Sequence, residues 1–139
     1  MAQASPSAKV QFELVAPERR LASEQVDMVV APGAAGDFGV LPGHSLLMSL
    51  LRPGVIEIWE ANQITRRIFV GGGFAEVNEE GCTVLAEEAM AVEEIDPERA
   101  RRRLSNAEDD LKEAKDDAER AQAEREVGIA EAQIQAAGG

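Results

Sequence analysis

A chain of 139 residues with 45% hydrophobic content is one domain of ordinary size, or a small domain with an appendage, and has enough apolar residues for one core. Its formal net charge of −12 argues against a partner held through nucleic-acid phosphates and against an anionic lipid surface bound by charge alone. A single cysteine, Cys82, permits neither an internal disulfide nor a cysteine-cluster metal site, and a single histidine, His44, excludes a multi-histidine one.

Met1 to Lys9 is small and polar, without the apolar run of a signal peptide. The longest apolar stretch, Leu46 to Leu51, falls far short of the roughly 20 residues that span a bilayer, so membrane association is expected only through a partner. Alternation then marks the strands. Val10, Phe12 and Leu14 share one face, and Val26, Met28 and Val30 repeat the pattern across Asp27. The segment Asp37 to His44, D-F-G-V-L-P-G-H, is rich in turn residues yet carries Phe38, Val40 and Leu41, which a solvated loop would not display. Val55 to Trp59 follows the turn pair Pro53-Gly54; Ile64 to Val70, Phe74 to Val77 and Cys82 to Ala86 complete the set. Turn signals every 8 to 12 residues predict an antiparallel sandwich or barrel, with no helix of note before Ile95.

Near residue 95 the chain changes character. Up to Glu94 it holds 14 carboxylates and 6 cations in short Val-, Ile- and Phe-rich runs; the remaining 45 residues hold 12 and 8, dominated by Ala, Glu, Asp and Arg. Two units are the simplest account, 1–94 and 95–139. The second opens on a helix signal: Asp96 at the N-cap, Pro97 at the first helical position and Glu98 near the positive end of the dipole. Ala100, Leu104, Ala107, Leu111, Ala114 and Ala118 form one narrow stripe. Ala123, Val127, Ala130, Ile134 and Ala137 form another, out of phase with it, so two helices meet near Asp116 to Arg120. Alanine stripes bury little area, and the hairpin is expected to hold together weakly.

Chemistry is sparse. Any Ser-His-Asp or Cys-His arrangement would pass through His44, which follows Pro-Gly in a turn. Gly71 to Phe74 is no phosphate loop, because no G-K-[ST] follows and no helix opens there; a bend or bulge between strands accounts for it. Arg99, Arg101, Arg102 and Arg103 oppose the dipole of the first helix. They are either paired with nearby Glu and Asp or compensated by an anionic ligand or acidic neighbouring surface.

Together, Asp37 to His44, Leu46-Leu47, Arg52-Pro53-Gly54, Phe69 to Phe74, Glu76-Val77, Thr83 to Ala86 and Ile95 to Ala100 resemble, in order, the epsilon subunit of the F-type ATP synthase, bacterial type. The resemblance implies a β-sandwich of about ten short antiparallel strands over 1–94, binding the gamma subunit and the c-ring, and a regulatory two-helix antiparallel hairpin over 95–139. It implies a noncatalytic rotor part of the central stalk that couples proton-driven rotation to ATP synthesis, peripheral on the cytoplasmic face of the inner membrane. Gly36, Asp37 and Phe38 would face the ring; His44, Ser45, Leu46, Met48 and Ser49 would lie against gamma. An acidic loop carrying Asp37 suits basic ring loops. Extended helices would reach the alpha/beta head and inhibit ATP hydrolysis. Ile95, Asp96, Arg99 and Ala100 match a motif that binds ATP in some members, with no resident cofactor or metal otherwise. The chain departs from those members in having no Lys or Arg in residues 126–139. A free-standing β-domain adaptor for a coiled-coil partner, and a small hydrolase centred on His44, stay open as alternatives.

Overall fold

The computed structural model describes residues 8–138; the polar stretch Met1 to Ser7, read above as lacking a signal peptide, and Gly139 lie outside the described residues. Among these there are eight strands: β1 (Val10–Ala16), β2 (Arg19–Val26), β3 (Met28–Ala31), β4 (Phe38–Val40), β5 (Leu47–Glu60), β6 (Gln63–Val77), β7 (Gly81–Ala86) and β8 (Ala89–Ala91). A 3-10 turn, Val92–Glu94, leads into α1 (Pro97–Glu113) and α2 (Asp117–Ala136).

Period-two burial builds the core. Val10, Phe12 and Leu14 of β1 and Cys82, Val84 and Ala86 of β7 all point inward. β1 pairs antiparallel with β2 but parallel with β7, so the sandwich is not antiparallel throughout as expected. The reason is connectivity: everything from β2 to β6 lies between β1 and β7, and so long a connection can return the chain in either direction, which a tight hairpin cannot.

The expected face Val26, Met28, Val30 is broken at Asp27. Val26 ends β2, and in β3 the buried residues are Val29 and Ala31. Asp27 accounts for the break, because its carboxylate accepts from Lys9 Nζ at 2.6 Å and from the Ala61 amide at 2.7 Å. That tie fastens the start of the chain to the β5–β6 turn.

About ten short strands were expected and eight are present, because two pairs are fused. β5 runs through Pro53-Gly54 and β6 through Gly71 to Gly73 with no shift in register: Leu51 opposes Gly73, Pro53 opposes Gly71 and Gly54 opposes Val70. What changes is the facing. Ile68 and Val70 point inward before the glycines, Ala75 and Val77 after them, while β5 switches from Leu51 to Ile56 and Ile58. Odd and even positions trade roles on both strands, so the pair crosses from one layer of the sandwich to the other. One layer is β2, β1, β7 and the adjoining halves of β6 and β5; the other is β8, the remaining halves of β6 and β5, then β3 and β4. Gly73 makes the crossing possible: its φ is 147°, and a Cβ there would lie 2.3 Å from the Leu85 carbonyl oxygen.

The helices start where their caps dictate. The Asp96 carboxylate accepts from the Glu98 amide at 3.0 Å, and Asp116 accepts from the Glu119 amide at 2.8 Å while Glu119 reaches back to the Lys115 amide. Ala100 and Ala107 of α1 and Ala123 and Ala130 of α2 are buried. Helix α2 also has a second inward face that the stripes did not mark. Ile129 packs with Ile95 and Ala100 on Phe69, which points outward from β6, and these four form an apolar cluster separate from the sandwich core.

Candidate functional site

Residues 32–37 form a loop held at its base and leading into β4 at Phe38. Arg52 donates from Nη1 to the Gly33 carbonyl at 2.6 Å and from Nη2 to the Asp37 carboxylate at 2.6 Å. The Ala34 amide donates to the Leu50 carbonyl at 2.8 Å. Gly33 has no room for a side chain, since a Cβ would lie 2.5 Å from the Gly36 carbonyl oxygen. Gly36, Asp37 and Phe38 are thus presented together, with Phe38 half-buried on the core and Asp37 exposed. Asp37 is not a free negative charge; its ion pair with Arg52 leaves this corner close to neutral.

Past the β4 end the chain turns through Pro42-Gly43, and Val40 is fully buried whereas Leu41 is 57% exposed. His44 Nδ1 donates to the Ser45 carbonyl at 2.7 Å. From Leu46 into β5 the side chains then separate by parity. Leu46, Met48 and Leu50 point outward with exposures of 78%, 60% and 65%, and Leu85 on β7 is similarly bare. Leu50 opposes Phe74, and Phe74 opposes Leu85, so an apolar strip crosses three hydrogen-bonded strands. Ser49 belongs to the other set, between inward-facing Leu47 and Leu51, with its hydroxyl donating to the Leu50 carbonyl at 2.9 Å. The segment His44 to Ser49 therefore divides: Leu46 and Met48 point outward, exposed Ser45 and half-buried His44 precede them, and Ser49 lies on the other parity.

Ile95, Asp96, Arg99 and Ala100 sit at the start of α1, where Asp96, Arg99 and Ala100 line one cleft and Ile95 does not. Ile95 and Ala100 are buried against Phe69, Asp96 caps its own helix, and Arg99 is exposed. That cleft, of about 590 Å³, is lined by five carboxylates (Glu88, Glu94, Asp96, Asp110 and Glu126) and three guanidiniums (Arg99, Arg102 and Arg103). Arg103 is the one that sequence reasoning underrated. Its Nη1 and Nη2 donate to Glu88 at 2.7 and 2.8 Å, and its Nε and Nη2 donate to Glu126 at 3.0 and 3.1 Å. Gln133 completes the junction, donating to the Met90 sulfur at 3.4 Å. Hydrogen bonds from Arg103 hold the Glu126 carboxyl below its usual range, and the two carboxylates raise Arg103 further above an already high value. The β7–β8 turn, α1 and α2 are thereby tied at one guanidinium.

Of the two readings left open for the arginines, local pairing holds for Arg101, which contacts Glu98 at 3.1 Å, whereas Arg103 is compensated by an acidic neighbouring surface, Glu88 and Glu126. Cys82 is buried, which pushes its thiol up to about 12 and keeps it protonated near neutral pH. Among the described residues no group of His, Cys, Asp and Glu is placed to hold a metal ion, and no helix is long and apolar enough to cross a membrane.

Comparison with known proteins bears on what these surfaces serve. Residues 9–92 match the ATP synthase Delta/Epsilon chain beta-sandwich domain, and residues 93–138 match the long alpha-helix domain of the same family. The chain belongs to the epsilon family of F-type ATP synthase subunits. The ATP synthase epsilon chain of Rhodospirillum rubrum is 53% identical over 129 residues, covering 93% of this chain and 96% of that one. That of Paramagnetospirillum magneticum is 50% identical over 128 residues, covering 92% and 96%. A chain in the Euglena gracilis mitochondrial ATP synthase, an OSCP/F1/c-ring assembly, superposes with a TM-score of 0.78 at 28% identity, covering 93% of this chain and 81% of that one. A chain in the Tetrahymena thermophila central stalk and c-ring shares the fold, with a TM-score of 0.68 at 15% identity.

For this epsilon-family chain, Leu50 and Leu85 are the surface residues missed from sequence. The signal for Leu50 was present, since it continues the parity of Leu46 and Met48. For Leu85 there was none, because its place beside Leu50 depends on the β5–β6–β7 register.

Proposed function

We propose that this chain is a noncatalytic rotor part of the central stalk of an F-type ATP synthase, coupling proton-driven turning of the c-ring through gamma to ATP synthesis. The observation that carries this reading is the bare strip of Leu46, Met48, Leu50 and Leu85 across a hydrogen-bonded sheet. Large apolar side chains lined up at more than half exposure mark a surface built to be covered. A part that passes torque needs such a face on a stiff support, and three laddered strands supply one. The strip is the gamma-facing surface, with His44 and Ser45 at its end.

The loop carrying Gly36, Asp37 and Phe38 faces the polar loops of the c-ring. Because Arg52 neutralises Asp37, its contribution is shape and hydrogen bonding more than net charge. The subunit is peripheral, on the cytoplasmic face of a bacterial inner membrane, attached through these partners. The hairpin is the regulatory part. Docked, it rests on Phe69 through a small apolar cluster and the Arg103 junction; released, it extends along gamma toward the alpha/beta head and restrains ATP hydrolysis. Support for release is the small extent of the contact, one four-residue buried cluster and one ionic knot.

The test is recovery of the tagged full-length chain from solubilised membranes, with its companions identified by mass. Gamma and the c subunit are expected; recovery with neither contradicts the proposal.

A further inference from the structure

The first 94 residues contain six cations, and four of them line one cleft of about 250 Å³: Arg19 and Arg20 from the start of β2, and Arg66 and Arg67 from β6. In a chain of net charge −12 this is a marked concentration. All four are exposed, and among the described residues only Arg66 has an ionic partner, Glu24. Packing like charges around one cleft costs free energy unless an anion relieves it. Arginine, moreover, grips planar oxyanions in a bidentate way that lysine does not.

The backbone beside these arginines is also open. β8 covers β6 only from Ile68 to Val70, and the 3-10 turn then leads the chain away. Residues 63–67 of β6 therefore pair with β5 on one side and, among the described residues, with no strand on the other. Across the cleft β2 is also an edge, paired with β1 alone. Unpaired edges accept an added strand. The cleft lining includes half-buried Leu21, which suits an apolar side chain of such a strand.

We propose that this seam binds an extended acidic segment of a partner protein, adding as a strand along residues 63–67 with its carboxylates on Arg19, Arg20 and Arg67. Glu93 and Glu94 on the same cleft favour a peptide, which can present a cation to them, over a ligand whose every charge is negative. They also disfavour a flat anionic membrane.

Amide exchange of the full-length chain tests this, using as probe a short acetylated and amidated peptide that alternates glutamate and valine and ends in one lysine, the cation that Glu93 and Glu94 call for. Exchange at residues 63–67 is expected to slow severalfold with the peptide, and not with a lysine–valine peptide of the same length. The double variant Arg20→Glu, Arg67→Glu is expected to weaken the effect at least tenfold while leaving exchange in the sandwich core unchanged. Unaltered exchange at 63–67, equal binding by the charge-reversed variant, or full displacement by inorganic pyrophosphate would each overturn the proposal; the last would mark a simple oxyanion site.

Discussion

Among single side chains Arg103 has the largest consequences, because one guanidinium satisfies Glu88 of the β7–β8 turn and Glu126 of α2 at once. Arg103→Gln leaves the two carboxylates facing each other and should weaken hairpin docking by about 1–2 kcal/mol, between the values for exposed and buried pairs. Amide exchange at Ile129 would read this; an unchanged rate contradicts it. The same pair sets a pH dependence. Glu126 is depressed in the folded state, so its contribution is complete above the unfolded glutamate value of about 4.3 and is lost as pH falls through the lower folded one. Docking should loosen in acid below about pH 4, and Glu126→Gln should flatten that profile. For Asp96 and Arg99, calorimetric titration with ATP should give millimolar or absent binding. The Asp96 carboxylate is occupied in capping, and the neighbouring cleft holds more carboxylates than guanidiniums. Micromolar affinity would contradict this reading.

At the scale of elements, two glycines should behave oppositely. Gly73→Ala puts a Cβ against the Leu85 carbonyl at a φ unsuited to alanine, and should cost more than about 2 kcal/mol. Gly128→Ala, with nothing within 4 Å of its Cβ, should raise stability by about 0.5–1 kcal/mol. Urea unfolding of both variants checks this, and equal effects would contradict the layer crossing at Gly73. Local signals were legible in the sequence: alternation in β1 and β7, and the Asp96-Pro97 helix start, each depend on neighbouring residues only. Pro53-Gly54 read as a turn and the triple glycine as a bend between two separate strands, because composition does not say whether pairing continues through a bend; what keeps those strands whole is the ladder to the partner strand. The break at Asp27 depends on Lys9 and Ala61, and the role of Arg103 on Glu88 and Glu126, all distant in sequence. The split between Met48 and Ser49 was readable from parity alone.

For the whole molecule, the sandwich core and the cluster around Phe69 share no buried residue. Deleting 95–139 should therefore leave a folded sandwich, still able to assemble, with Phe69 newly bare. A cooperative unfolding transition would confirm the fold, and its loss would contradict the independence of the first unit. The central claim, that the chain docks through the strip on β5, β6 and β7, meets its most direct test in Leu50→Asp. Leu50 is exposed in the free chain, so this variant should keep its core amide protection. Pulled down from solubilised membranes, it should recover gamma at least tenfold less than the unaltered chain does; recovery at the unaltered level would contradict the account.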